Sequence, residues 1–194
     1  MLTLIGIPTA STVEPETLKA IYGQLDADTD TSLDILYGFR IDVQRRLLCE
    51  EALRIGADHL LMVDSDVVLP ETAIRDLLDP PAEIVSGLVR LKGRRREGLY
   101  TNVCRGVPLL YSDVPEGRSQ VDWCGGACVM IKTSILKDIP TPWFEYHEEA
   151  GSGAISEDVW FCRQARKVGI PIYADKRVIC GHIIKEQYGF TEGY

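Results

Sequence analysis

The sequence predicts an α/β fold with a mostly parallel central sheet. Three observations predict it. Strand-like and helix-like runs alternate along the 194 residues, with no internal repeat or low-complexity tract. The run Leu60-Leu-Met-Val63 is continuously apolar, the pattern of a strand buried on both faces. Residues 41–55 carry Ile41, Leu48, Ala52 and Ile55 at helical spacings, and Gly56 stands where that helix would end.

Each element follows from local signals. Residues 2–7 form the first strand, stopped by Pro8. Residues 15–24 form a helix with Pro15 or Glu16 in its first turn and Leu18, Ile21 and Tyr22 inward. Residues 33–36 are a short strand, 59–63 the buried strand, and 70–78 a helix with Ile74, Leu77 and Leu78 inward. Residues 84–89 form another strand. Residues 99–103 and 107–111 pair as a hairpin across Cys104-Arg-Gly106. A strand at 128–131 leads into a short helix at 133–137. Residues 157–168 form a helix with Ser156 as N-cap and Gly169 at its end. Strands at 170–174 and 178–180 follow.

The length fits one domain, 1–194. Hydrophobic content of 45% and charged content of 26% are globular values. No apolar run approaches the roughly 20 residues of a membrane helix, so no transmembrane segment is expected. The start, Met1-Leu-Thr-Leu-Ile-Gly-Ile-Pro8, has neither a basic stretch nor a cleavage site. No secretory signal is expected there, and the cytoplasm is the expected address. A net charge of −8 argues against broad adhesion to nucleic acid or anionic membrane. The basic run from Lys92 to Arg96 is expected to be a solvated loop. The six cysteines mostly sit in apolar runs and are expected to be buried free thiols. A zinc site of Cys124, Cys128, Cys180 and His182 would fit no zinc spacing well.

Two acidic sites carry chemistry. The buried strand runs straight into Asp64-Ser-Asp66. Ligands in open α/β sheets sit beyond the carboxyl ends of strands. In extended backbone, carboxylates at i and i+2 point to one side, and they repel unless a cation offsets them. Hard oxygen ligands suit Mn2+ or Mg2+, ions that bridge carboxylates to a substrate phosphate. Ordinary turn chemistry would also account for an isolated Asp-x-Asp. The second site, Ser156-Glu-Asp158, opens a helix where the dipole favours a carboxylate. Simple N-terminal capping would account for that segment alone. The preceding Gly151-Ser-Gly153 suits a flexible lid. His182 follows a strand and one glycine, again at a strand's carboxyl end. His59 is expected to be structural and His147 solvated within an acidic run.

Together these residues resemble the GT-A glycosyltransferases, especially the family 2 inverting enzymes and their small phage or bacterial relatives. Four segments carry the resemblance: Leu4-Ile-Gly-Ile-Pro-Thr9; the helix from Asp42 to Leu53; Asp64-Ser-Asp66; and Ile155-Ser-Glu-Asp-Val-Trp-Phe-Cys-Arg163 with Gly169-Ile-Pro-Ile-Tyr-Ala-Asp175 and Cys180-Gly-His182. The resemblance implies a Rossmann-like α/β/α sandwich. It implies that Asp66, Asp64 and His182 hold a divalent metal on the donor diphosphate, with Mn2+ or Mg2+ as cofactor. Pro8, Thr9, Ala10, Arg45, Ser65 and the Asp64/Asp66 pair would contact the nucleotide sugar, with Gly125 and Gly126 beside the sugar. Asp158 would deprotonate the acceptor, and Glu157 would orient the acceptor or the base. Arg46 departs from the family pattern, which has asparagine there. The donor would be a UDP- or GDP-sugar, and the acceptor a glycan, lipid, protein or modified nucleobase. A second copy or a partner subunit could complete the acceptor site. A retaining transferase, a sugar-nucleotide nucleotidyltransferase and a non-catalytic nucleotide-sugar-binding module stay open as alternatives. Against the nucleotidyltransferase, Thr9-Ala-Ser-Thr12 lacks a glycine-rich loop with a basic residue.

Overall fold

In the computed structural model, residues 1–25, 30–91, 100–149 and 153–183 are described. The chain opens with β1 (Leu2–Thr9), α1 (Pro15–Leu25), β2 (Asp30–Tyr37), α2 (Ile41–Ile55) and β3 (His59–Val63). A short β4 (Val67–Val68), α3 (Ala73–Leu78) and β5 (Ile84–Val89) follow. Then come β6 (Tyr100–Arg105), β7 (Val107–Leu110), β8 (Arg118–Val121), β9 (Trp123–Cys124) and β10 (Cys128–Lys132). The last elements are β11 (His147–Glu149), β12 (Gly153–Ile155), α4 (Glu157–Lys167) and β13 (Ile172–His182). No described helix is long and apolar enough to cross a membrane.

The central sheet has the order β2-β1-β3-β10-β5-β13-β4, with β8 also on β13. β1 is parallel to β2 and β3, and β5 is parallel to β13. β10 runs antiparallel between β3 and β5, so β2, β1, β3, β5 and β13 share one direction. The mostly parallel sheet is therefore as the sequence predicts. Alternation along β3 sets its two faces. Leu60 and Met62 join a cluster with Leu48 and Ala52 of α2 and Phe161 and Ala165 of α4. Leu61 and Val63 join another with Ile21 of α1 and Ile74 and Leu77 of α3.

Several boundaries differ from expectation for identifiable reasons. Pro8 does not stop β1, which continues to Thr9 against β2. Pairing with β3 has already ended at Gly6, so the missing N–H is tolerated. β2 is longer than its apolar core, because full register with β1 from Leu2↔Asp30 to Thr9↔Tyr37 supplies its backbone partners. α3 starts at Ala73 and not at Pro70, whose carbonyl instead accepts Ala73 N–H at 3.0 Å and Gln24 Nε2 at 3.0 Å. The 133–137 helix is of the tighter 3-10 type. The two last predicted strands are one, β13, whose pairing with β5 shifts between Asp175 and Ile179. α2 ends as predicted, with Gly56 left-handed at φ 70. The hairpin forms between β6 and β7 around Gly106 at φ 71, while Leu99 lies outside the described residues.

Candidate active site

Six chain segments meet beyond the carboxyl ends of β1, β3 and β13. Every residue that the resemblance assigns to the site lines one cavity of about 470 Å3, which holds Pro8, Thr9, Ala10, Arg45, Asp64, Ser65, Asp66, Gly125, Gly126, Glu157, Asp158 and His182.

The acidic segment after β3 is a turn and not the expected extended backbone. Val67 N–H donates to the Asp64 carbonyl at 3.1 Å. The two carboxylates consequently take different partners. Asp64 Oδ1 lies 2.9 Å from Arg45 Nη2, and Asp66 Oδ1 lies 3.4 Å from His182 Nε2. Antiparallel pairing of β4 with the end of β13 (Val67↔His182) brings the late histidine to this turn. Ile183 N–H, which donates to the Asp66 carbonyl at 2.9 Å, closes the contact.

His182 has a defined tautomer. Its Nδ1 lies 2.6 Å from the Arg90 carbonyl oxygen. A carbonyl only accepts, so Nδ1 carries the hydrogen. In the neutral ring, Nε2 then presents its lone pair toward the Asp66 carboxylate. Two electron-rich atoms at 3.4 Å suit a shared cation, and a backbone bond on the far nitrogen is the usual brace of a metal-binding histidine. Among the described residues no group of three or more His, Cys, Asp or Glu side chains could hold a metal together. An ion here would therefore draw further ligands from substrate or water, as Mg2+-type sites at phosphates do.

Arg45 joins the acidic turn to the start of α4. It is 3% exposed, and each guanidinium nitrogen has a partner within the chain. Nη2 meets Asp64, Nη1 donates to the Gly126 carbonyl at 2.8 Å, and Nε lies 3.2 Å from Glu157 Oε1. Burial works against this charge, yet Asp64, Glu157 and Asp158 together hold the guanidinium above its ordinary pKa. A Cβ at Gly126 would stand 2.4 Å from the Arg45 guanidinium carbon, so glycine there leaves the guanidinium its present place.

Glu157 and Asp158 behave differently. Glu157 is buried, and burial pushes its carboxyl up, with the Asp158 charge adding and Arg45 opposing. Asp158 Oδ1 accepts the Val159 N–H at 2.7 Å and the Ser156 hydroxyl. Ser156 stands at the N-cap position, but its side chain serves Asp158 and makes no backbone cap. Asp158 Oδ2 accepts Gly126 N–H at 3.3 Å and faces the cavity.

Three supporting residues escaped sequence reasoning. Gln44 Oε1 accepts Thr9 N–H at 2.7 Å, and Nε2 donates to the Thr9 and Phe39 carbonyls, which fixes the loop after β1. Asn102 ties β5 to the glycine turn, accepting Val89 N–H at its Oδ1 and Gly125 N–H at its backbone oxygen. Tyr146 lines the cavity, and burial followed by the Glu157 charge and hydrogen bond raise its phenol pKa. A signal for Gln44 existed: Asp42, Gln44 and Arg45 are polar residues within the buried face of α2.

His147 is not simply solvated, because its ring packs on Trp160 with centroids 4.4 Å apart. His59 sits at the opposite end of β3 from Asp64. All six cysteines are buried and free. Cys124, Cys128, Cys180 and His182, whose spacing fits no zinc pattern well, form no metal group among the described residues, with Cys124 beside Cys162 in one apolar cluster and Cys128 and Cys180 in the other. Lys92–Arg96 and residues 151–152 of the expected lid lie outside the described residues.

No family model matches the sequence, and no curated protein sequence matches it. Solved structures do match the fold. The STIV protein A197 superposes with a TM-score of 0.70 and 23% identity over 95% of this chain and 87% of its own. A mutant Drosophila β-1,4-galactosyltransferase 7, in complex with manganese, UDP-Gal and xylobiose, matches with a TM-score of 0.57 and 12% identity over 99% of this chain and 78% of its own. A UDP-glucose pyrophosphorylase complexed with UDP-glucose matches with a TM-score of 0.51 and 6% identity over 93% and 92%. The fold is GT-A-like. That likeness belongs to nucleotide-sugar transferase folds in general and does not single out family 2. Within a GT-A-like fold the cavity lies beyond the sheet's carboxyl edge, where α/β ligands bind.

Proposed function

We propose that the chain is a metal-dependent glycosyltransferase that moves a sugar from a UDP- or GDP-sugar to an acceptor hydroxyl, with inversion and with Asp158 as base. One observation carries this reading. A single cavity has the Asp66–His182 pair on one wall and the Asp158 carboxylate, aligned by its own helix start, on another. The fold adds support, because its structural neighbours include a transferase solved with manganese and UDP-Gal.

Asp66 and His182 would hold the Mn2+ or Mg2+, with Asp64 turned to Arg45 and the remaining ligands drawn from substrate or water. Bound there, the ion would offset the charge on a departing diphosphate. The chain's own residues do the rest. Pro8, Thr9, Ala10 and Ser65 line the cavity and would border the nucleotide, and Gln44 fixes the Thr9 backbone. Gly125 would let a sugar approach the backbone, while Gly126 makes room for the Arg45 guanidinium. Ser156 and Val159 hold Asp158 Oδ1, so Oδ2 is presented to the cavity. As the acceptor oxygen bonds to the anomeric carbon and the carbon–diphosphate bond breaks, the acceptor proton passes to Asp158. Glu157 beside it orients the acceptor or the base.

The test is a thermal-shift panel of nucleotide sugars with Mn2+, followed by transfer assays on the binder. Asp158→Asn should lower turnover by about 10²–10⁴-fold, the usual worth of a general base, while donor binding stays within about twofold. Equal loss of binding and turnover would make Asp158 structural. A retained anomer by NMR would replace inversion with retention. Pyrophosphate release from a nucleoside triphosphate would favour the nucleotidyltransferase reading. Donor binding without transfer or donor hydrolysis would favour a binding module.

A further inference from the structure

We infer that Arg45 is a positioning residue that couples the Asp64 turn to the Glu157–Asp158 helix start, and not a ligand of the nucleotide. This rests on the transferase reading for its kinetic consequences, though the coupling itself is a property of the apo chain.

The Arg45 guanidinium is already engaged by the chain. Each of its three nitrogens contacts the chain: Asp64 Oδ1 at 2.9 Å, the Gly126 carbonyl at 2.8 Å and Glu157 Oε1 at 3.2 Å. Nη1 also lies 3.8 Å from Met62 Sδ. A planar fork committed on three sides is a poor phosphate clamp and a good brace. Its partners come from three separate places in the chain: the turn after β3, the glycine turn before β10, and the first turn of α4. The last two also meet directly, through the Gly126 N–H and Asp158 Oδ2 at 3.3 Å. The first two meet through the Asp64 N–H and the Ala127 carbonyl at 3.0 Å. Arg45 thus closes a ring of contacts with one wall of the cavity on each side.

Sharing is what makes the ring a coupler. One guanidinium divides its charge between Asp64 and Glu157, which lie 93 positions apart in sequence. A movement of Asp64 toward a bound donor changes the grip on Glu157, and with it the setting of Asp158. Two cavity walls bridged by one buried, rigid group form a contiguous physical link of the kind that carries coupling. Lysine keeps the charge but offers one point in place of a fork. It holds Asp64 or Glu157, not both.

The experiment uses the full chain and two readouts. The first needs no substrate. Asp64→Asn should change hydrogen–deuterium exchange of the amides at 156–160 in the wild-type background by at least about threefold, on the scale of a coupling network. In the Arg45→Lys background the same substitution should leave those amides unchanged. If Asp64→Asn has no effect at 156–160 in either background, or an equal effect in both, the coupling is refuted, whatever the protein does. The second readout is kinetic. Arg45→Lys should cut turnover on the order of 10²-fold, the cost of misplacing reacting groups by about an ångström, while donor affinity by calorimetry stays within about threefold. Loss of donor affinity with turnover preserved would make Arg45 a nucleotide ligand after all. If wild type binds no nucleotide sugar, the transferase reading fails and the exchange experiment still decides the coupling. Circular dichroism of Arg45→Lys checks that it is folded, and Arg45→Gln, which keeps two hydrogen-bond donors without the charge, stands in if it is not.

Discussion

Two clusters of arginine and carboxylate are buried in this chain, and they are balanced in opposite directions. At one, Asp175 is fully buried between two arginines. Arg118 Nε lies 3.0 Å from its Oδ2, Arg177 Nη2 lies 2.7 Å from the same oxygen, and Arg177 donates from both backbone and Nε to Oδ1. Burial alone would push Asp175 up, but the bonds from Arg177 and Arg118 prevail and hold it below the ordinary carboxylate range. At the other, one arginine, Arg45, serves Asp64 and Glu157 with Asp158 close by, and Glu157 is pushed up.

The difference separates a bracket from a working site. The arginines at Asp175 reach on to the carbonyls of Asp76, Leu77 and Pro80 at the end of α3. They satisfy acceptors that the helix end leaves open and lie at the negative pole of its dipole. The cluster pins α3 to the bulge in β13. Around Arg45 the acids outnumber the base, and the imbalance opens on a cavity. Excess negative charge at a cavity wall is what a cation or a transferred proton requires, and perturbed acids gather at functional sites for that reason.

The largest effect that would break this contrast is on stability at the bracket. Asp175→Ala leaves Arg118 buried with no carboxylate. It should cost about 3–5 kcal/mol, the usual result of stripping one partner from a buried pair. Urea unfolding measures it. A loss below about 1 kcal/mol would place Asp175 with ordinary surface ion pairs and erase the distinction.

Glu157→Gln sharpens the contrast from the other side. It removes a carboxylate whose charge burial already disfavours, and it leaves Arg45 with Asp64 and Gly126. Unfolding free energy should change by less than about 1 kcal/mol, in either direction. Turnover should still fall by about 10-fold or more, because the neighbouring base loses its setting. A stability loss as large as that of Asp175→Ala would make both clusters structural.

Much of this layout could be read from the sequence, and the parts that could not share one cause. The helix 41–55, the strand 59–63 and the acids and late histidine at element ends follow from local pattern, because apolar periodicity and strand ends are local properties. Pro8, Thr9, Ala10, Arg45, Ser65, Gly125 and Gly126 came only with the family resemblance. What local pattern missed was partnership over distance. Arg118 and Asp175 are 57 positions apart, and Arg45 and Glu157 are 112 apart. Neither spacing leaves a trace in periodicity. The split of β13 into two expected strands has the same origin. Lys176-Arg177 interrupts the apolar run, and only the buried Asp175 it serves explains why the strand continues. The turn at Asp64-Ser-Asp66 was misread as extended because its geometry depends on β13 arriving to pair with β4.

The smallest effect is the pH dependence of stability, and the two clusters give it opposite signs. Asp175 has a folded pKa below its unfolded value, so the folded state releases the proton first. Its stabilisation is fully present above the unfolded pKa of about 4 and is lost as pH falls through the lower folded value. Glu157 has a folded pKa above its unfolded value, so the folded state keeps the proton longer. Its contribution is fully present below about pH 4.3 and is lost as pH rises through the folded value. Each slope is at most about 1.4 kcal/mol per pH unit. Urea unfolding from pH 3 upward, without added divalent cation, should therefore show a rise in stability with pH that Asp175→Asn flattens. It should also show a decline at higher pH that Glu157→Gln flattens. If Glu157→Gln instead removes the acid-side rise, Glu157 is held ionised by Arg45 as firmly as Asp175 is by its two arginines, and the excess of acid around Arg45 has no energetic consequence.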